Sequence, residues 1–380
     1  LVTFDYILFI TITIGYLLGA ASFLIGFLKT PYFKNGNRAK PVFISILIAA
    51  RNEEDTLPFL LEDLLNQDYP KELLEVIVVD DHSTDNTAKV VQAYAEKGVR
   101  LIQLNESSAL NSYKKKAIST AIDQSRGDFI ITTDADCRVG PNWVKSFSEY
   151  YQNGKYKLIS APVGFLDTGK WFQKFQSMEF SMLIGLGAGA IQNHNPFTCN
   201  GANLGYEKKT FYELGGFKGI DDLASGDDEL FLHKVAIQYP QQIGFLKNRE
   251  AIVYTHAKED IKDFIKQRRR WASKSVKYKN RIMIMVAVWA FIFNISILLN
   301  GLLVWFFPIL LPLLVFQVLV KMVLETLLMF SVLHFLKQSR YIGQLFIFLP
   351  LYFLTLMIYM AYIGLAGNSG KYEWKGRMVR

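Results

Sequence analysis

The sequence predicts an α/β fold: a doubly wound domain with a mostly parallel sheet, flanked by transmembrane helices. Three observations predict it. Short continuous apolar runs alternate four times with helix-patterned segments between residues 42 and 133, which is how strands buried on both faces of a parallel sheet read. Several of these runs end on acidic residues. Uncharged stretches long enough to cross a bilayer precede and follow them. The chain has 380 residues, of which 51% are hydrophobic, and a net charge of +8. That length allows a domain plus a membrane part, and a basic balance suits an anionic membrane surface or nucleic acid.

Residues 6–28 carry no charge. At about 1.5 Å per residue they reach roughly 34 Å, enough for a hydrocarbon core of about 30 Å. A secretory signal has a shorter apolar core and a small-residue cleavage site, so an uncleaved helix is expected within residues 1–30. Lys29, Lys34, Arg38 and Lys40 follow, and the positive-inside rule then puts the next domain, residues 40–258, in the cytoplasm. The chain opens on Leu1 rather than Met, and a preceding segment is expected.

The first strand, residues 42–49, closes on Ala50-Arg51-Asn52-Glu53-Glu54. A helix over 56–67 places Leu57, Leu60, Leu61, Leu64 and Leu65 on one face. A second strand over 74–79 ends in Asp80-Asp81-His82-Ser83-Thr84-Asp85. A helix over 86–96, N-capped by Asp85, and a strand over 99–104 come next. Lys114-Lys115-Lys116 opens a helix through Ile122, and the strand over 129–133 delivers Asp134 and Asp136. In an extended chain residues i and i+2 point to the same side, so both carboxylates face one way. Hard divalent cations take such oxygen ligands together with substrate phosphates. An isolated D-x-D reads first as a solvated turn. Here it lies at the carboxyl end of a strand, where ligands of open α/β sheets bind, and Asn52-Glu53 and Asp80-Asp81 share that edge. The absence of G-x-G-x-x-G and of a P-loop lysine argues against a dinucleotide cofactor or a Walker-type ATPase.

The second half is less regular. A strand is expected over 158–163, and an apolar helix over 171–191 lying against the membrane face or the sheet. Asn200-Gly201-Ala202-Asn203-Leu204 reads as a polar loop and Gly215-Gly216-Phe217 as a tight turn. Gly226-Asp227-Asp228 leads into a helix over 229–237, with Asp227 read as its N-cap and Asp228 in its first turn, where negative charge suits the helix dipole. A late strand covers 252–255. Residues 259–281 form a basic amphipathic segment with Gln267-Arg268-Arg269-Arg270-Trp271, which reads as membrane-surface binding. The adjoining apolar spans exclude nucleic acid as its partner.

Spans are expected at 282–306, 310–336 and 342–365, within 282–366, with Pro308 and Pro312 marking the first break. Lys337 and Arg340 agree with a cytoplasmic loop. Lys321 and Glu325, one turn apart inside a span, can neutralise each other. Four full crossings leave the basic tail, 367–380, outside against the charge rule, so one segment is expected to be re-entrant or interfacial. Cys137 and Cys199 allow one disulfide at most, and reduced thiols are expected in a cytosolic domain.

Five motifs thus occur in order: Ala50-Arg51-Asn52-Glu53, Asp80-Asp81, Asp134-Ala135-Asp136, Gly226-Asp227-Asp228 and Gln267-x-x-Arg270-Trp271. With the tail Trp374-Lys375-Gly376-Arg377, the sequence resembles the inverting family 2 glycosyltransferases of the GT-A fold, the group of the cellulose, chitin and hyaluronan synthases. The resemblance implies that Ala50, Arg51 and Glu53 line a nucleotide-sugar pocket and that Asp80 or Asp81 receives the base. Lys114 stands near the nucleotide, with Tyr113 where the family often has Gly. Asp134 contacts ribose or metal and Asp136 ligates a divalent Mg²⁺ or Mn²⁺. Asp227 is the general base with Asp228 in support. Asn200, Gly201, Asn203, Gln267, Arg270 and Trp271 serve the acceptor and the diphosphate.

The chemistry asks for these residue types in its own right. A departing nucleoside diphosphate gathers negative charge that a cation and an arginine stabilise, and an attacking hydroxyl needs a carboxylate base. The implied enzyme is a metal-dependent hexosyl- or N-acetylhexosaminyltransferase using a UDP-sugar, with GDP as the other candidate. It acts on a lipid-linked or glycan acceptor at the inner cell membrane, in cell-envelope polysaccharide synthesis. A polyprenyl-phosphate sugar synthase shares the early motifs without needing Gln267-x-x-Arg270-Trp271. A non-catalytic scaffold of polysaccharide export would not need the carboxylate set. A nucleotidyltransferase would show a Gly-rich basic loop after the first strand, which Ala49–Glu54 is not.

Overall fold

A computed structural model describes residues 2–36, 40–106, 112–278, 280–366, 372–374 and 377–379. Arg38 of the basic run, and Lys371, Lys375, Gly376 and Arg380 of the tail, lie outside the described residues. The chain forms two compact units. An α/β unit takes Thr30–Thr168, His194–Lys258 and Gly370–Arg380, and a helical unit takes Leu1–Lys29, Gly169–Asn193 and Glu259–Ser369.

The strands of the α/β unit are β1 (Ile44–Ala50), β2 (Leu74–Asp80), β3 (Val99–Gln103), β4 (Phe129–Asp134), β5 (Arg138–Val139), β6 (Leu158–Ser160), β7 (Val163–Phe165), β8 (Leu204–Glu207), β9 (Ile243–Phe245) and β10 (Val253–Thr255), with a tail hairpin of β11 (Tyr372–Trp374) and β12 (Arg377–Val379). Among the described residues the central sheet has the order β3-β2-β1-β4-β8-β6-β9. Its first four strands are parallel. They follow from unbroken apolar runs: Ile44, Ile46, Leu47 and Ile48 are fully buried, as are Leu57, Leu60 and Leu61 of the helix Leu57–Leu65 packed near them. The register sets the working edge, because Ala50 pairs with Asp80 and Ala49 with Asp134. Two acidic strand ends therefore flank the end of β1.

The later strands depart from the reading of the sequence. β8 runs antiparallel to both β4 and β6. The single strand expected over 158–163 is two, β6 in the central sheet and β7 in a second sheet of order β5-β10-β7. Pro162 between them has no N–H for a ladder. The helix Trp143–Gly154 was not foreseen. The helix expected over 86–96 is only Thr87–Gln92, followed by a 3₁₀ turn, Ala95–Lys97, that ends on Gly98 at φ 93°.

In the helical unit, four helices among the described residues are long and apolar enough to cross a membrane: Tyr6–Lys29, Arg281–Leu303, Pro308–Phe335 and Arg340–Gly364. The last is broken into Arg340–Leu345, a 3₁₀ turn Phe346–Phe348 and Leu349–Ala366. The helix Trp171–Gln192 belongs to this unit and packs on its first long helix. Glycine makes that packing close: a Cβ at Gly189 would lie 2.3 Å from the Phe23 carbonyl oxygen, and one at Gly26 would lie 2.6 Å from that of Gly189. Buried polar side chains bridge the helices. Asn300 donates to Gln317 at 2.7 Å, and Gln317 donates to Ser296 at 3.0 Å and to Thr13 at 3.2 Å. Lys321 and Glu325 pair at 2.5 Å, and the Tyr16 hydroxyl donates to the same carboxylate.

Glu75 is a buried carboxylate at the start of β2. Ser45 donates to it at 2.6 Å, the Arg126 backbone N–H also donates to it, and Arg100 and Arg126 pair with it at 3.2 and 3.3 Å. Burial works to raise its pKa, but these bonds outweigh burial and hold the carboxyl below its ordinary value. A depressed folded-state pKa contributes stability above the unfolded-state value that is lost as pH falls through the folded one. Glu75→Gln is therefore expected to lower the melting temperature at pH 7, with the gap to wild type closing on acidification below about pH 4. Denaturation scans against pH read this directly, and a gap that widens in acid contradicts it.

Candidate active site

The loops after β1 and β2 are laced together. Arg51 donates to the carbonyls of Asp81 and His82 at 2.9 and 2.7 Å. The Asn52 side chain accepts from the Thr84 N–H at 2.8 Å, and the Asn52 N–H donates to Ser83 at 3.0 Å. The Glu53 N–H donates to Thr87 at 2.8 Å, and the Glu53 side chain accepts from Thr56. Asn52 and His82 both adopt φ 53°. Asn and His are the non-glycine types enriched in that left-handed region, and the lacing holds the backbone there. Ala50 is buried at the floor of this corner. Asp80 accepts from the Ser83 N–H at 3.1 Å. Asp85 accepts from the Thr87 N–H and hydroxyl without being the N-cap, which is Asn86.

Asp81 is 2% exposed, and its partner comes from the far end of the chain. Arg377 of β12 donates to both Asp81 carboxylate oxygens at 2.9 Å, and its guanidinium lies 3.7 Å from the centre of the Tyr113 ring. A planar cation on an aromatic face, paired with a carboxylate, occupies the corner laced by the first two loops.

The second cluster lies at the end of β4. Asp134 is the last residue of the strand, and Ala135 and Asp136 already turn, with the Cys137 N–H donating to the Asp134 carbonyl at 3.2 Å. The pleat that would align two alternate carboxylates thus ends at Asp134, so it is a turn that places Asp136. Lys114 Nζ, from the first turn of the helix Tyr113–Gln124, lies 2.7 Å from Asp134 Oδ1 and 3.3 Å from Asp227 Oδ2. Burial alone would lower the Lys114 pKa, but Asp134 and Asp227 more than offset it and hold the amine charged well above the usual lysine range. The Cys137 thiol behind the turn is pushed up by burial and by Asp136 and Asp134. No disulfide joins it to Cys199.

Asp227 and Asp228 have separate duties. Asp228, not Asp227, is the N-cap of the helix Glu229–Gln238. Its Oδ1 accepts from the Glu229 N–H at 2.6 Å and its Oδ2 from the Gly201 N–H at 3.0 Å. Asp227 follows Gly226, which stands at φ 86°, a value that favours glycine. Its Oδ2 would lie 3.3 Å from a Cβ at Gly201, so a residue without one leaves room beside the carboxylate.

The structure brings Ala50, Arg51, Glu53, Asp80, Asp81, Lys114, Asp134, Asp136, Asn200, Gly201, Asp227 and Asp228 into the α/β unit. Asn203, expected at the acceptor or the diphosphate, is instead a fully buried scaffold residue. Its amide donates to the carbonyls of Pro162 and Ala251 at 2.7 and 2.8 Å, and its oxygen accepts from the Trp143 indole at 3.0 Å. The Asn200 side chain accepts from the Ala202 N–H at 2.9 Å, capping a 3₁₀ turn. Gln267, Arg270 and Trp271 belong to the helical unit, on the helix Ile261–Ser273. There the neighbour that the motif skips, Arg268, is the buried one. It donates to Glu179 at 2.9 Å and to Gln267 at 2.7 Å, and lies 4.1 Å from the centre of the Trp271 ring. The signal for it was a lone glutamate inside the apolar 171–191 pattern, which needs a cation.

Three comparisons place this geometry among known proteins. The probable glycosyltransferase YdaM of Bacillus subtilis (strain 168) is 29% identical over 245 residues, covering 60% of this chain and 54% of that protein. A beta-monoglucosyldiacylglycerol synthase of Nostoc sp. (strain PCC 7120) is 28% identical over 142 residues, 37% of this chain and 30% of that one. The chain thus spans about half the length of one relative and under a third of the other. Among solved structures, the mannosyltransferase PcManGT of Pyrobaculum calidifontis, in complex with GDP-Man and Mn²⁺, superposes with a TM-score of 0.56 at 15% identity over 97% of this chain and 99% of that one, a likeness of fold. Residues 45–215, a little under half of the chain, match the model of glycosyl transferase family 2, and the α/β unit is similar to the domains of that family and has a GT-A-like architecture.

Proposed function

We propose that this protein is a membrane-bound inverting glycosyltransferase that moves a sugar from a nucleoside diphosphate sugar to the hydroxyl of a lipid-linked or glycan acceptor. The observation that carries the reading is the shared lysine: Lys114 holds Asp134, at a strand end, and Asp227, at a helix start, around one point beside Gly201. The four long apolar helices support a membrane location, and the basic residues after the first of them support a cytoplasmic catalytic domain. The name of the Nostoc relative supports a lipid acceptor.

In this reading the laced corner around Ala50, Arg51, Glu53, Asp80 and Asp81 takes the nucleoside. A base that bonds to Asp81 exchanges with Arg377, which holds both oxygens of that carboxylate. Lys114 is a cation within reach of the diphosphate. Asp227 takes the proton from the acceptor hydroxyl as its oxygen attacks the anomeric carbon from the side opposite the leaving diphosphate, which inverts the configuration. Asp228, with both oxygens bonded to backbone, fixes the Gly201 loop and the helix start rather than carrying a proton. Gln267, Arg270 and Trp271 are assigned to the acceptor and the diphosphate by resemblance alone.

Asp134 and Asp136 offer the hard oxygen donors that Mg²⁺ or Mn²⁺ takes. Among the described residues no cluster of three or more His, Cys, Asp or Glu could hold a metal alone. The two carboxylates therefore fit an ion that arrives with the donor's phosphates. Such an ion would neutralise the charge that gathers on the leaving diphosphate.

A panel of UDP- and GDP-sugars, assayed with the purified protein for Mn²⁺-dependent release of nucleotide, is expected to identify a donor; no turnover with any of them contradicts the reading. Asp136→Asn is expected to abolish Mn²⁺-dependent turnover and to weaken nucleotide binding only when metal is present. Wild-type activity in that variant removes Asp136 from the metal site. Asp227→Asn is expected to slow transfer by about 10²–10⁴-fold with nucleotide binding unchanged. Asp228→Asn, which keeps one acceptor oxygen at the cap, is expected to lose stability more than chemistry. A larger rate loss in Asp228→Asn at equal stability would reverse the two roles.

A further inference from the structure

Between the helices Lys208–Glu213 and Glu229–Gln238 the chain runs without strand or helix and turns at Gly215, Gly216, Gly219 and Gly226, all at positive φ. Its carbonyls have no ladder to join, and those turned inward need donors from elsewhere. Lys234 supplies them to Gly216 and Lys218, and Lys115 to the stretch just before Asp227. Lys115 sits in the first turn of the helix Tyr113–Gln124, is 2% exposed, and its Nζ donates to the carbonyls of Leu223 at 2.6 Å and Ser225 at 2.7 Å. Three residues further on, Asp228 is fastened by the Gly201 and Glu229 N–H groups. Only Gly226 and Asp227 lie between the two fastenings. Gly226 is the residue type that pivots most freely, and with its carbonyl tied to the Leu230 N–H at 3.2 Å and Asp227 paired to Lys114 at 3.3 Å, the backbone before it is the part that the 223–225 fastening must fix.

Resting on the reading of Asp227 as the base, we propose that Lys115 is a positioning residue that anchors the 223–225 backbone and so fixes where Asp227 stands relative to Asp134. Neighbouring lysines of one helix start thus divide the work. Lys114 meets the carboxylates, and Lys115 meets the backbone that carries one of them. Burial depresses the Lys115 pKa to about 8, while Asp227, Asp228, Asp222 and Asp221 work to raise it. The amine therefore remains largely charged at neutral pH and its two bonds are charge-assisted.

The test compares Lys115→Met, Lys115→Arg and Asp227→Asn with wild type. It measures turnover of the nucleotide sugar found in the donor panel, UDP–Mn²⁺ binding by calorimetry, and melting temperature. Lys115→Met is expected to reduce kcat by about 10²-fold, the scale set by misplacing a catalytic group by about 1 Å. UDP affinity should stay at the wild-type level. Lys115→Arg, which keeps a buried cation with donors, is expected to recover most of the loss. Wild-type turnover in Lys115→Met, a parallel fall in UDP affinity, or an Arg variant no better than Met overturns the proposal. Should Lys115→Met fail to fold, Lys115→Gln is judged by the same criteria, and failure of both to fold makes Lys115 a folding residue and overturns it too. Full turnover in Asp227→Asn refutes the base assignment itself. An inactive Asp227→Asn beside an unaffected Lys115→Met refutes only the positioning role.

Discussion

Two carboxylates gathered in a half-buried cleft repel each other, and water screens the repulsion poorly there. Asp134 and Asp227 come from a strand end and a helix start nearly a hundred residues apart, and both lie within 3.3 Å of the Lys114 ammonium. That shared cation lets the edge of the sheet and the irregular second half of the α/β unit close on one point. Other features serve the same closure. The flush register of β1 with β2 and β4 lines up the acidic ends. The N-cap bonds of Asp228 fasten the Gly201 loop to the next helix. The scaffold bonds of Asn203 fix the base of that loop.

The parallel half of the domain was legible because each of its strands is an apolar run closed by polar residues. The gathering of acidic residues at its edge was legible because a parallel sheet sends its strand ends to one side. The second half was not. β6, β7, β8 and β9 have three or four residues each, too short for a periodicity to declare itself, and the break at Pro162 falls inside what reads as one apolar run. The D-x-D alternation implied a pleat that aligns both carboxylates, whereas a turn places Asp136. Asp227 and Asp228 were separable only once the two N–H donors to Asp228 were visible, because sequence spacing fixes the helix start to within a residue or so. Asn203 misled because a polar residue in a Gly-containing loop reads as solvent-facing. Its partners, Trp143 and the carbonyls of Pro162 and Ala251, lie far away in the chain.

The helical unit has a polar interior of its own. Thr13, Ser296, Asn300 and Gln317 are each at most 3% exposed and bond to one another across three helices. Surrounded by apolar side chains, such groups have few other partners, so they specify which helix faces meet. The ion pair of Glu179 with Arg268 does the same for the helices Trp171–Gln192 and Ile261–Ser273, and it holds the Gln267 and Trp271 side chains against a rigid support.

The bond between Arg377 and Asp81 has a consequence for how the chain is threaded. It makes the last strands part of the α/β unit, so the chain leaves that unit at Lys258 and rejoins it at Gly370. Between the two lie three long apolar helices, Arg281–Leu303, Pro308–Phe335 and Arg340–Gly364. A path that departs from one side of a bilayer and returns to the same side crosses it an even number of times. In a bilayer, three crossings would strand Arg377 on the far face from Asp81. That bond would call for an even number of crossings among the three, and the helix interrupted at Phe346–Phe348 carries the joint that such a detour would use.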